Sequence, residues 1–285
     1  MTGIAEVTPP FGHHALPRGF ATVRRWIARQ APGRATRLVA SALRRLLLSG
    51  GGEVFDVEVF AGVRARIHPR GNRCEKAVLT GTQFWDEEER SALAEEICTG
   101  PKQRPFFFVD VGANVGFYSL FACGVARSCG RAIRVLAIEP DSENLRRLRN
   151  NIALNRFDPI AVLSSAIGET PGRGAMEGGE RNRGERRLVT NQTGEVEVVT
   201  LLAAVQNARI DRIDCMKVDI EGHDLAALEA FFRSSEPGLW PLVLIVEIGR
   251  GGESAMADLC ARHGYALATR TKLNAIFRRG APTGS

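Results

Sequence analysis

The sequence predicts an α/β fold, a doubly wound and mostly parallel sheet with helices on both faces. Three observations carry that expectation. The stretch "FFFVDVGANVGFYSLFA", residues 106–122, reads as a buried strand, a glycine bend and a helix on which Phe117, Leu120 and Phe121 recur at i, i+3, i+4. Downstream of it, short apolar runs alternate with helical segments, as a parallel sheet requires. Four of those runs end in an acid, at Asp110, Glu139, Asp219 and Glu247, and the carboxyl edge of such a sheet is where ligands bind.

The chain of 285 residues is 44% hydrophobic, enough for a substantial core. No apolar run approaches the roughly 20 residues of a membrane-spanning helix. Formal charge is +6, and the surplus is local: residues 1–52 hold eight arginines and one acid, Glu6, for 8 − 1 = +7. Six cysteines without a C-x-x-C pair or a signal peptide point to reduced core thiols and a cytoplasmic protein.

Three regions are expected: a basic, partly helical extension over 1–52, a hairpin and helix over 53–104, and the sheet domain over 105–285. Residues 1 to about 19, rich in Gly, Pro and His, are expected to be poorly ordered, and His13–His14 lacks a third metal ligand. Two arginine-rich helices follow, broken near Pro32-Gly33. The second places Leu38, Val39, Leu43, Leu46 and Leu47 opposite Arg44 and Arg45. It packs on the protein, meets a partner, lies on an anionic membrane or acts as a targeting segment. "EVFDVEVFAGVRARIHP" alternates as a hairpin around Ala61-Gly62. "FWDEEERSALAEEIC" is a helix with Asp86 as its cap and Glu89 completing a capping box. Phe84 and Trp85 before it either touch substrate or pack.

Beyond the glycine bend, "RVLAIEP" is a second strand and "DSENLRRLRNNIALN" a helix capped by Asp141. "IAVLSSAIG" is a third strand. Residues 169–187, dense in Gly, Arg and Glu, read as a solvated loop suited to a lid. "EVEVVTL" alternates as a strand outside the main repeat. "IDCMKVDIEG" and "LVLIVEIG" are the fourth and fifth parallel strands, followed by a helix over 253–263 and a terminal hairpin of "YALAT" and "NAIF".

The glycines of "DVGANVG" sit four apart, at Gly112 and Gly116, which is not the three-glycine dinucleotide fingerprint. That turn suits a cofactor without a pyrophosphate, an adenosyl sulfonium compound above all. Glu139 lies 23 residues after Gly116, placed to accept hydrogen bonds from two ribose hydroxyls. Backbone groups of Ser165 and Ala166 are positioned to read an adenine edge. His223, Asp219 and Glu247 are candidates for a base that takes a proton from an acceptor hydroxyl. Hard cations take oxygen ligands, yet Asp219, Glu221 and Glu247 follow no recognisable metal-site spacing, and no metal is expected.

"FVDVGANVGFYS", "AIEPDSENLRRLRNNIALN", "SAIG", "MKVDIEGHDLAALEAF" and "LVLIVEIG" together resemble the FkbM family of S-adenosylmethionine-dependent methyltransferases, from about Phe106 to Phe277. "LTGTQFWDEEERSAL" echoes the family more weakly. The resemblance implies a Rossmann-like class I methyltransferase sheet of seven strands, the last antiparallel. It implies S-adenosyl-L-methionine as cofactor and O-methylation of a sugar or polyketide-type natural product. It places Asp110, Gly112, Asn114, Gly116 and Tyr118 along the methionine side, with Ala113, Phe117 and Ser119 in the same turn. Glu139, followed by Pro140, would hold the ribose, and Asp219 would touch the cofactor or the acceptor. His223-Asp224 departs from the glutamate that commonly follows the family's Glu-Gly. The arginine-rich front is outside the pattern.

Two other functions compete. A nucleic-acid methyltransferase would fit the pI of 9.3, but "DIEG" stands where base-amino methylation shows a "[DN]PP[YF]" turn, and the basic surplus lies outside the sheet domain. A small-molecule or saccharide hydroxyl is therefore the expected partner. A non-catalytic cofactor-binding module acting through the basic front is the other, and the intact Asp110, Gly112, Gly116 and Glu139 argue against it. Peripheral membrane contact through the basic helix is an open expectation.

Overall fold

The computed structural model describes residues 9–179, 182–248 and 253–280 of the chain, which falls into two compact units, Met1–Trp85 and Asp86–Ser285.

Among its described residues the first unit holds two antiparallel strands and three α-helices. Helix α1 spans Arg18–Ala28 and α2 Arg34–Ser49, and the break between them falls at Pro32-Gly33 as expected. Strands β1 (Phe55–Phe60) and β2 (Val63–Ile67) form the anticipated hairpin. Helix α3 (Arg73–Val78) is capped by Asn72, whose side chain accepts from the Glu75 amide. Trp85 packs near Phe60, and Arg37 lies over Phe84, so in this unit both aromatics pack.

The expected disorder before residue 20 is corrected for residues 9–15; residues 1–8 lie outside the described part. Asp56 and Arg66 form a buried pair across the hairpin, at 2.7 and 2.9 Å. A buried carboxylate must fill its remaining lone pairs, and the amides of Gly12 and His14 do so at 2.8 and 3.1 Å. Arg66 in turn donates to the carbonyls of Pro9 and Pro10. The terminal segment is thus fastened to an ion pair that needs it.

The second unit begins with α4 (Glu87–Thr99). Alternation then runs through β3 (Phe106–Val111), α5 (Phe117–Ser128), β4 (Ile133–Ile138), α6 (Ser142–Asn155) and β5 (Ile160–Leu163). Next come short strands β6 (Ala166–Ile167), β7 (Gly172–Glu177), β8 (Arg187–Thr190) and β9 (Val196–Val199), and helix α7 (Leu201–Asn207). The chain closes with β10 (Cys215–Val218), α8 (Asp224–Ser234), β11 (Val243–Glu247), α9 (Glu253–Arg262), β12 (Tyr265–Arg270) and β13 (Asn274–Arg279). Seven strands form one sheet in the order β12-β13-β11-β10-β3-β4-β5. Of these only β13 runs against its neighbours. Strand β3 is buried along its whole length, which explains an apolar run with no alternation. Its Val109 and Val111 share a core with Met216 and Val218 of β10, Leu244 and Val246 of β11, and Phe231 of α8.

Three expectations need correction. The predicted third strand divides: residues 160–163 belong to the large sheet, and Ala166–Ile167 to a separate four-stranded sheet ordered β6-β9-β7-β8. The predicted loop at 169–187 contains β7, paired with β8 and β9; its residues 180 and 181 lie outside the described part. Backbone pairing and a small cluster of Ala166, Leu188 and Val198 hold this sheet, so it needs little apolar sequence. Asp86 is in left-handed conformation and makes no capping bond. Its carboxylate accepts from the Tyr118 hydroxyl instead, and Glu89 accepts from Thr271 and Asn274. Tertiary partners outcompeted the local box.

Burial alone would raise the Asp56 carboxyl, but the bonds from Arg66, His14 and Gly12 win and hold it below its ordinary 3.8. Its stabilisation is therefore full above about pH 4 and is lost as pH falls through the depressed value. Asp56→Ala should cost about 3–5 kcal/mol at neutral pH by leaving Arg66 buried and unpaired. Urea denaturation of the full chain measures this; a cost under about 0.5 kcal/mol would show that the pair does not hold the unit.

Candidate active site

The site is built where β3 and β10, neighbours in the sheet, release their chains. Gly112 has φ +78°, and a Cβ there would overlap the carbonyl oxygen of Asp219. Only glycine lets the two loops come this close. The amides of Gly112 and Ala113 both donate to the Ile138 carbonyl, at 3.0 and 2.9 Å, which bends the chain over the end of β4. Asn114 follows at φ +53°. Gly116, at φ +89°, sits where a Cβ would strike Leu148 of α6, so helix α5 starts hard against α6.

Glu139 lies one residue beyond β4 and is 5% exposed. Its carboxylate accepts from the Asn114 amide at 2.7 Å and the Asp141 amide at 2.9 Å. Burial raises it to about 7, against those two bonds. Asp141 caps α6 through the Asn144 amide at 2.9 Å. It also pairs with Arg186 and Arg183, and these partners together outweigh burial to keep it below the ordinary carboxylate value.

A cavity gathers Gly112, Asn114, Glu139, Pro140, Ser165, Ala166, Asp219 and His223 of the candidates named from sequence. Asp110, Ala113, Gly116, Phe117, Tyr118, Ser119 and Glu247 are not among its lining residues. Asp110 accepts from the Ser119 hydroxyl and amide at 2.6 and 3.1 Å, so these two secure the bend from beneath. Burial raises the Asp110 carboxyl, with the Lys217 charge opposing. Tyr118 is turned to Asp86, and Lys217 lies 4.9 Å from its ring centroid. The Ser165 hydroxyl is spent on Glu197 at 3.1 Å.

The stretch 169–187, expected as a lid, does roof the cavity, although none of its residues was named as a site residue. Met176, Arg183, Gly184, Arg186 and Leu188, all from the small sheet and its connections, line the same cavity. The His223 ring joins the roof: Nε2 lies 3.0 Å from the Leu188 carbonyl. A carbonyl only accepts, so Nε2 carries the proton and Nδ1 is the nitrogen left basic. The "RNRGERR" run was the available signal, but charge alone did not say that two of its arginines fold back onto Asp141.

Beside the cavity, Asp219, Glu221 and Glu247 each place a carboxylate oxygen within 4.8 Å of the other two. The turn between them is held by Asp224, which accepts from the Ile220 and Gly222 amides, both at 3.1 Å. Lys217, buried on β10, donates to Asp219 at 2.9 Å. Burial pulls its ammonium down, but the charges of Asp219 and Asp110 prevail and raise it. Burial and the nearby charges of Asp219 and Glu221 raise Glu247 to about 8, while burial with Asp219 and Glu185 raises Glu221 to about 7.

In large-sheet terms the order is 3-2-1-4-5-7-6 with the seventh strand reversed, which with an acid after the second strand and a glycine bend after the first is class I methyltransferase architecture. The methyltransferase FkbM domain model matches residues 110–266, and the chain belongs to that family of S-adenosylmethionine-dependent methyltransferases. Among solved structures, a precorrin-6Y C5,15-methyltransferase from Geobacter metallireducens aligns at 11% identity over 69% of this chain and 90% of its own, TM-score 0.43. An S-adenosylmethionine-dependent methyltransferase from Agrobacterium tumefaciens aligns at 12% over 80% and 70%, TM-score 0.46. An rRNA methylase from Streptococcus thermophilus aligns at 11% over 67% and 94%, TM-score 0.39. The family assignment rests on none of the three. No curated protein matches the chain.

The cavity's lining fits the cofactor: a buried two-oxygen acceptor at Glu139 for a diol, Ser165-Ala166 along one wall, and a wall at Gly112 without a side chain. Glu139→Gln should weaken S-adenosylmethionine binding at least about tenfold, since a charged acceptor for two hydroxyls becomes a neutral one. Wild-type affinity should itself rise as pH passes through about 7, where Glu139 loses its proton. Calorimetric titration measures both; a variant with wild-type affinity would move the ribose elsewhere.

Proposed function

We propose that this enzyme methylates a hydroxyl oxygen, most simply on a sugar or polyketide-type natural product. The observation that carries this reading is the carboxylate trio of Asp219, Glu221 and Glu247 beside the cofactor cavity. When bound, S-adenosylmethionine supplies a methyl carbon made electrophilic by its sulfonium. What the chain must add is a held acceptor oxygen, a dry path and a base. An alcohol is barely acidic at neutral pH, so its proton must leave during attack or directly after it.

Glu247 is the base assigned here. A carboxylate raised to about 8 holds a proton far more readily than an ordinary one, which is what general-base catalysis near neutrality demands. Asp219 and Glu221 supply the charges that, after burial, raise it, and Asp219 is fixed by Lys217. Glu139, Gly112 and Ser165-Ala166 orient the nucleoside, and the small sheet excludes water above it. His223, through Nδ1, is the second candidate for the base. Acids at the cavity edge oppose a phosphate backbone, which speaks against a nucleic-acid acceptor.

The rate of transfer to a hydroxylated acceptor at saturation should rise with pH through about 8, because only the ionised Glu247 accepts a proton. Glu247→Gln should slow transfer about 10²–10⁴-fold and flatten that limb. His223→Ala should slow transfer while leaving cofactor affinity unchanged. If His223→Ala and not Glu247→Gln removes the limb, the base is the imidazole. Activity should survive EDTA; its loss and recovery with a divalent ion would convert the trio into a metal site.

A further inference from the structure

The structure divides the leucine-rich stripe of α2 in two. Thr36, Ala40, Leu43 and Leu47 are buried. Leu38 and Leu46, eight residues apart and so on one side of the helix, are 72% and 60% exposed, and Val39 beside them is exposed as well. Arg34 and Arg45, both exposed, stand four residues before Leu38 and seven after it, on that same side. Helix α1 adds exposed Val23 and Trp26, with Arg18, Arg25 and Arg29 exposed along it. Arg24 is different: it is turned inward onto the carbonyls of Leu79 and Glu58.

Such a face needs a covering surface that accepts both aliphatic side chains and positive charge. Residues 9–52 contain eight arginines and no aspartate or glutamate, so the complement is anionic. A second copy of the same face would oppose arginine to arginine. An RNA strand would answer the charge, but its bases stack on aromatic rings, and the centre of this face is leucine. A lipid surface with acidic headgroups answers both, taking the aliphatic side chains below the headgroups while arginines stay among them. Helix α2, of 16 residues, is about 24 Å long and would lie in the interface plane; among the described residues no helix is long and apolar enough to cross a membrane.

We propose that the exposed side of α2, bearing Leu38, Val39 and Leu46 beside Arg34 and Arg45, binds the protein to anionic membrane surfaces. The binding is peripheral and reversible. It is independent of the acceptor proposed above.

Sedimentation of the full chain with vesicles tests this. With about one third phosphatidylglycerol in phosphatidylcholine at roughly 0.1 M salt, where charge attraction is only partly screened, bound protein should exceed that on pure phosphatidylcholine at least tenfold. Leu38→Gln with Leu46→Gln should lower vesicle affinity at least tenfold, as should Arg34→Gln with Arg45→Gln. Both pairs lie on exposed positions, and unchanged melting temperatures would show that folding is intact. No preference for the anionic vesicles overturns the proposal, as does a leucine variant that binds like wild type. Retained vesicle indifference with salt-sensitive binding to single-stranded RNA would make the face a nucleic-acid surface. Concentration-dependent dimerisation lost in the leucine variant would make it a self-interface.

Discussion

The approach of two backbones at Gly112 is the constraint on which the site depends. Where β3 and β10 end side by side, any side chain at residue 112 would occupy the position of the Asp219 carbonyl. Because none is there, the first loop can fold over Ile138 and present the Asn114 amide to Glu139. The second loop can meanwhile bring Asp219 and Glu221 to the same edge. Removing that contact would separate the groups proposed to hold the nucleoside from those proposed to handle a proton.

Charge is distributed accordingly. Glu139 is buried and accepts from the Asn114 and Asp141 amides, so its geometry is fixed before any ligand arrives. Three further carboxylates crowd at the neighbouring strand ends, and their repulsion is relieved most directly where Lys217 meets Asp219. The other members, Glu221 and Glu247, are the ones raised toward neutrality. Raised carboxylates of this kind are what the proposed proton transfer calls for.

The centre of the large sheet was legible because β3, β4, β10 and β11 are buried along nearly all their length and so appear as mostly apolar runs, each closing on an acid. The positions of Gly112 and Glu139 followed from spacing along one such repeat. The small sheet was not legible: "GRGAME" has neither alternation nor an apolar run, and it becomes β7 only because β8 and β9 offer their backbones. The stretch 169–187 was legible as a cover for the site, but not the roles of Arg183 and Arg186 in it, since their partner Asp141 is some forty residues away. Asp86 shows the reverse failure. A good local capping pattern lost to Tyr118, Thr271 and Asn274, which sequence proximity does not reveal. The stripe on α2 was visible as a pattern, but which leucines pack and which stay exposed is a property of the folded unit.

The most direct measurement is a crystal structure of the full chain with S-adenosylhomocysteine bound. Both ribose hydroxyls should lie within hydrogen-bonding distance of the Glu139 carboxylate, with the adenine along Ser165-Ala166 and the sulfur facing Asp219. A nucleoside bound anywhere other than the Gly112–Glu139 edge, or a Glu139 that keeps only its amide partners, would contradict the account.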